Sequence, residues 1–153
     1  FTSVEADRGV TVNTAGDADA FLAITPGDGY GDSGYISNDS SDGTMTFDLG
    51  DESTETNSSG QGFNQNATTN ITNLIQLENQ GNSAITVGFE DADSPTNTTT
   101  VDVDQGKVTF EIEDSPDLGT GETANVSVSV NTSAETTGVS DSPSVTIYAT
   151  EQP

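Results

Sequence analysis

The sequence predicts an all-β fold, an antiparallel sandwich of two sheets packed face to face. Three observations carry this. Apolar residues recur at every second position through much of the chain, and β-branched types dominate those runs. No segment sustains the i, i+3, i+4, i+7 spacing of an amphipathic helix for three turns. Clusters of Gly, Pro, Asn and Asp separate the alternating runs at short intervals.

Nine strands follow from that alternation. The first places Val4, Ala6, Val10 and Val12 at even positions, with a bend or bulge at Arg8-Gly9. "AFLAIT" supplies Leu22 and Ile24, and "TMTFDL" supplies Met45, Phe47 and Leu49. "TNITNLIQLEN" offers Ile71, Ile75 and Leu77, and "SAITVGFED" offers Ile85, Val87 and Phe89. Val101 and Val103 mark the next strand, and Val108, Phe110 and Ile112 the one after it. Val126, Val128 and Val130, then Val145 and Ile147, complete the series. Turn signals such as "TPGDGYGDSG", "NQGN", "DADSPTN" and "DSPDLGTGE" lie between them, and residues 50 to 68 form the one long polar connection, expected as a surface loop. A sandwich or jelly roll accommodates such a series.

Composition sets the environment. Leu, Ile, Val and Phe together number 30 of 153 residues, and 26 carboxylates face two basic residues, Arg8 and Lys107, for a net charge of −24. Unpatterned, such a chain would be disordered. Its strict alternation supports a folded sheet, and carboxylate excess with almost no lysine is the pattern of proteins from molar salt. There the Debye length falls to about 3 Å and self-repulsion is screened. Folding is therefore expected to depend on salt. The same acidity excludes nucleic acid and anionic lipid as partners, because both need clustered Lys and Arg. With no Cys and no His, disulfides, thiolate or imidazole metal sites and His-based triads are excluded. No apolar run approaches the roughly 18 residues of a membrane span.

The strongest local motif is the N-glycosylation sequon. Seven occur, at Asn38, Asn57, Asn66, Asn70, Asn97, Asn125 and Asn131, where 12 Asn and 41 Ser or Thr would give about three by chance. A surface rich in Ser, Thr and Asn is one reading, and an exported protein with N-linked glycans is the other. Under the second, Asn38, Asn57, Asn66 and Asn97 are the loop positions, while Asn125 and Asn131 fall in or beside a strand. Paired carboxylates raise calcium as a cofactor: Asp28 with Asp32, Asp39 with Asp42, Asp91 with Asp93, and Asp102 with Asp104. None forms an EF-hand loop, and a solvated acidic surface explains them equally. No enzyme activity is expected: any carboxylate pair among 26 is uninformative for glycoside hydrolysis, and nine aromatic residues build little of a sugar cleft. Lys107, beside the inward-pointing Val108, belongs to an outer face, which disfavours an internal isopeptide bond.

Three stretches, "FTSVEADRGVTVNTAGDADAFLAI" at 1 to 24, "LIQLENQGNSAITV" at 74 to 87 and "GETANVSVSVNTS" at 121 to 133, resemble a family of haloarchaeal exported surface domains. That family is distantly similar to the TasA and camelysin group of biofilm matrix fibre proteins. The resemblance implies a mature chain starting after a removed signal peptide and an extracellular, cell-surface location. It also implies a jelly-roll subunit polymerising with copies of itself by donor-strand complementation. Residues 1 to 13 would be the donor strand, with Phe1, Val4, Ala6, Val10 and Val12 facing a neighbour's groove, and residues 14 to 153 the sandwich domain. The loop at 50 to 68 departs from any pattern of that family, and the charge departs from its bacterial members. Against the filament stands a monomeric surface adhesion or binding module, calcium-assisted or not, whose first strand closes its own sheet.

Overall fold

The computed structural model describes residues 9–15, 22–28, 36–39, 45–48, 67–91, 93–103, 106–132 and 143–153. Eleven strands run through them: β1 (Gly9–Ala15), β2 (Leu22–Pro26), β3 (Ile36–Asp39), β4 (Met45–Asp48), β5 (Thr68–Asn79) and β6 (Ile85–Phe89). The remainder are β7 (Thr98–Val103), β8 (Gly106–Ile112), β9 (Asp117–Leu118), β10 (Thr123–Asn131) and β11 (Ser144–Glu151). They form two packed sheets, ordered β3-β4-β1-β11-β6-β9 and β2-β5-β10-β8-β7. The β-sandwich expected from alternation is the fold. Except for the consecutive pairs β3–β4 and β7–β8, every link passes from one sheet to the other.

Alternation sorts the side chains as the sequence requires. In β10, Ala124, Val126, Val128 and Val130 are buried, whereas Asn125, Ser127, Ser129 and Asn131 face outward. Val108, Phe110 and Ile112 of β8 turn inward beside them, and Val145, Ile147 and Ala149 of β11 meet them from the opposite sheet. The rings of Phe89 in β6 and Phe110 in β8 join the two sheets, with centroids 6.5 Å apart and planes inclined at 54°, a favourable tilted geometry.

The five-stranded sheet carries one irregularity that the alternation conceals. Val126 pairs with Ile75 and Val128 with Ile71, so residues 72 to 74 of β5 oppose the single residue Ser127. Such a two-residue excess preserves the inward parity of Ile71 and Ile75 and turns Leu74 inward as well. Asn73 at its apex has φ of 54°, a conformation Asn tolerates, and its N–H donates to Ser127 Oγ at 3.0 Å. Gly27 donates its N–H to the Leu74 carbonyl at 2.8 Å, and any Cβ on Gly27 would stand 1.6 Å from the Asn73 carbonyl oxygen. Glycine at 27 thus lets β2 close over the bulge.

Two strands, β3 and β9, were not anticipated. β3 holds the lone strong apolar Ile36 between turn residues, and β9 is two residues long. One pairing also departs from the antiparallel expectation. β1 lies parallel to β11, while the other eight strand pairings described are antiparallel.

Candidate assembly site

The first strand occupies an interior position of the six-stranded sheet. Its sequence, GVTVNTA, alternates valine with small polar residues and carries no charge, in a chain whose net charge is −24. Val10 and Val12 have no exposed surface. On one side β1 pairs antiparallel with β4, Val10 opposite Phe47 and Val12 opposite Met45. On the other it pairs parallel with β11, from Thr11 opposite Ser144 to Ala15 opposite Tyr148. The parallel ladder is preceded by the Thr11 N–H donating to the Pro143 carbonyl at 3.0 Å. Among the described residues, β3 and β4 join the rest of their sheet through β1 alone. Lifting β1 out would open a slot between β4 and β11 with two unpaired walls and a valine-shaped gap in the core.

Val10 and Val12, the expected groove-facing residues within the described part, both face the core; Phe1, Val4 and Ala6 lie outside it. The strand continues to Ala15, so the expected boundary between residues 13 and 14 falls inside β1.

The sequons are dispersed. Asn57 and Asn66 lie outside the described residues. Asn38, expected in a loop, sits in β3 opposite Thr46, where the unanticipated strand carries it. Asn70 is exposed on β5 opposite Ser129. Asn125 is half-buried, and its Nδ2 donates to Asp114 Oδ2 at 3.2 Å while its backbone N–H donates to the same oxygen at 3.1 Å. Asn131 ends β10 opposite Lys107 and Thr68. Asn97 is exposed and precedes β7.

Among the described acidic candidates, the carboxylates of Asp91 and Asp102 make local contacts. Asp91 Oδ1 accepts the Asp93 N–H at 2.9 Å, closing the turn after β6, and both residues are exposed. Asp28 is exposed beside Gly27, while Asp32, Asp42 and Asp104 lie outside the described residues; Asp39 ends β3. Among the described residues no three ligating side chains converge. Asp102 and Lys107 form an ion pair across the β7–β8 hairpin, on the outer face expected for Lys107. A shallow groove of about 250 Å³ crosses the outer face of the five-stranded sheet, lined by Asn70, Thr72, Thr109, Glu111 and Ser127 among others. Its walls are hydroxyls and solvated carboxylates.

One buried polar residue escaped the sequence reading. Asn79 has no exposed surface and satisfies its side chain locally: Nδ2 donates to the carbonyls of Ser83 (2.8 Å) and Leu118 (3.0 Å), and Oδ1 accepts the Gly81 N–H at 2.9 Å. The signal was present, because Asn79 continues the inward parity of Ile75 and Leu77 into "NQGN". It fastens the β5–β6 turn to β9.

No family model, curated protein or solved structure matches the chain.

Proposed function

We propose that the chain is the structural subunit of an extracellular filament from a high-salt organism, assembled head to tail by exchange of its first strand. The observation that carries this reading is the seat of β1. A strand free of charge fills an interior slot and, among the described residues, supplies the link between β3–β4 and the rest of the sheet. A second copy's β1 is chemically identical and fits the same register against Phe47 and Val145. Main-chain ladders on both sides would hold it, with Val10 and Val12 as its alternate anchors. Donation from each copy to the next is heterologous, so it propagates without closing. Seven sequons and the acidic surface fit an exported, N-glycosylated subunit.

A second reading, a monomeric surface adhesion or binding module, is favoured by β1 lying within its own chain's sheet. The two differ in what removal of the strand does. For the filament, full-length protein forms threads visible by negative-stain microscopy and multimers that resist heating on a gel. A chain lacking residues 1 to 12 stays soluble, forms no threads, and binds a synthetic "FTSVEADRGVTV" peptide. Threads from the truncated chain would assign the contact to another surface. A full-length chain that remains monomeric, with a truncated chain that misfolds, would establish the closed module.

A further inference from the structure

We propose that Asn97 carries an N-linked glycan that covers the edge of the five-stranded sheet at β7, which no other strand pairs among the described residues. The inference rests on the exported, filament-forming reading above and extends it to the question of what keeps such subunits from pairing at the wrong edge.

Four strands end the two sheets, and three are protected by their own construction. β3 has four residues and β9 two, too short to template a ladder. β2 ends in Pro26, which has no N–H to offer. β7 is the longest of the four, six residues of sequence TTTVDV, without proline and with β-branched residues at five positions. Its one carboxylate, Asp102, is neutralised by Lys107. An edge of that kind invites a second chain. At molar salt, screening leaves little electrostatic repulsion to prevent it.

The sequon Asn97-Thr98-Thr99 begins at the start of that edge. Of the five described sequon asparagines, Asn38, Asn70, Asn125 and Asn131 occupy paired ladder positions, and Asn97 alone lies outside a strand. Sequon acceptors belong to surface loops, where the backbone can turn to present the amide. Asn97 is exposed, and its carbonyl accepts the Ile112 N–H at 2.9 Å, which fixes the residue beside β7. Asn125, by contrast, already commits its Nδ2 to Asp114. In the transfer, the Asn97 Nδ2 nitrogen bonds to the anomeric carbon of a lipid-phosphate-linked sugar. The anomeric C–O bond breaks, the lipid phosphate leaves with that electron pair, and one Nδ2 proton passes to a base of the transferase.

Glycopeptide mass spectrometry of protein taken from its own cells is the first test. Sugar is expected on the peptide containing Asn97, with the Asn125 peptide bare. A bare Asn97 with sugar at other sequons overturns the assignment and leaves the filament reading intact, whereas a chain bare at all seven removes the glycoprotein part of both. The covering role is tested with Asn97→Gln and Thr99→Ser made in the same cells. Asn97→Gln should keep its melting temperature and raise side-by-side bundling severalfold by light scattering. Thr99→Ser, which retains the sequon, should stay dispersed. Equal scattering from the two variants overturns the covering role.

Discussion

The two sheets are put together differently. The five-stranded sheet is centred on β5, β10 and β8, neighbours whose pairing is antiparallel throughout and whose inward residues are mostly aliphatic or aromatic. The six-stranded sheet instead includes β1, a seven-residue strand wedged parallel to β11. Burial of Val10 and Val12 contributes about 3–6 kcal/mol in total when both are fully covered. Under the proposed exchange, the six-stranded sheet takes one strand from another copy, and the five-stranded sheet takes none.

The largest effect expected is from a carboxylate placed in each sheet at matched burial. Val10→Asp and Val126→Asp both put a charge where the native side chain has no exposed surface, and each should cost at least about 4 kcal/mol. Only the first should be repaired from outside. Peptide comprising residues 1 to 15 should restore the melting temperature of Val10→Asp and leave Val126→Asp unchanged. Failure of the peptide to rescue Val10→Asp would show that the slot has no existence apart from its own strand.

Salt should separate the sheets next. Dilution from molar to ~0.1 M lengthens the Debye length from about 3 to about 10 Å, exposing the repulsion of a chain with net charge −24. Hydrogen exchange should show amides of β1 and β11 losing protection before those of β5, β8 and β10. Simultaneous loss in both sheets would erase the distinction, and an unchanged β circular dichroism spectrum with an unchanged melting point would remove the high-salt reading itself.

Alternation made the fold legible. Each of the nine expected strands has a counterpart among the described residues, with Val4, Ala6 and Leu49 lying outside them, and Val108, Phe110, Ile112 and the valines of β10 point where period two puts them. What remained hidden had physical reasons. β3 and β9 are edge strands of four and two residues, too short to show an alternation, although β9 contributes the buried Leu118 to the core. The bulge at Asn73 adds two residues and therefore leaves parity unbroken. The parallel alignment of β1 with β11 is a property of the whole topology, which no local run encodes. At the candidate site, Val10 and Val12 could be read as buried, but their partners in β4 and β11 lie about 35 and 133 positions away along the chain.

The close fit of Gly27 over the bulge gives a smaller effect, confined to the five-stranded sheet. Gly27→Ala would drive Cβ into the Asn73 carbonyl, and backbone cannot yield as a side-chain tip does. A loss of about 3 kcal/mol is expected, read as a fall in the urea midpoint with unchanged slope. Filament formation through β1 should survive wherever the variant is folded, since the bulge lies in the opposite sheet. Loss of threads from a folded Gly27→Ala would tie assembly to both sheets.

The smallest effects come from two left-handed residues, one following β6 of the six-stranded sheet and one within β5 of the other. Glu90 has φ of 75° and Asn73 φ of 54°. For a side chain such as Glu this conformation costs roughly 1–2 kcal/mol, because Cβ crowds the following carbonyl, whereas Asn occupies it readily. Glycine removes the crowding at either position but adds chain entropy to the unfolded state. The two terms nearly cancel at Asn73, where the Ser127 hydroxyl bonds the backbone N–H and is untouched by the substitution. At Glu90 the relief is larger, the side-chain hydrogen bond given up among the described residues is an exposed one of 3.4 Å from Thr99, and one carboxylate of an overcharged chain is removed. Glu90→Gly should therefore stabilise by up to about 1 kcal/mol and Asn73→Gly should change stability by only a few tenths, both measured from urea midpoints at a single high salt concentration. Equal gains at the two positions would mean that charge and side-chain identity are irrelevant to the strain, and that the backbone of each turn is held by its neighbours alone.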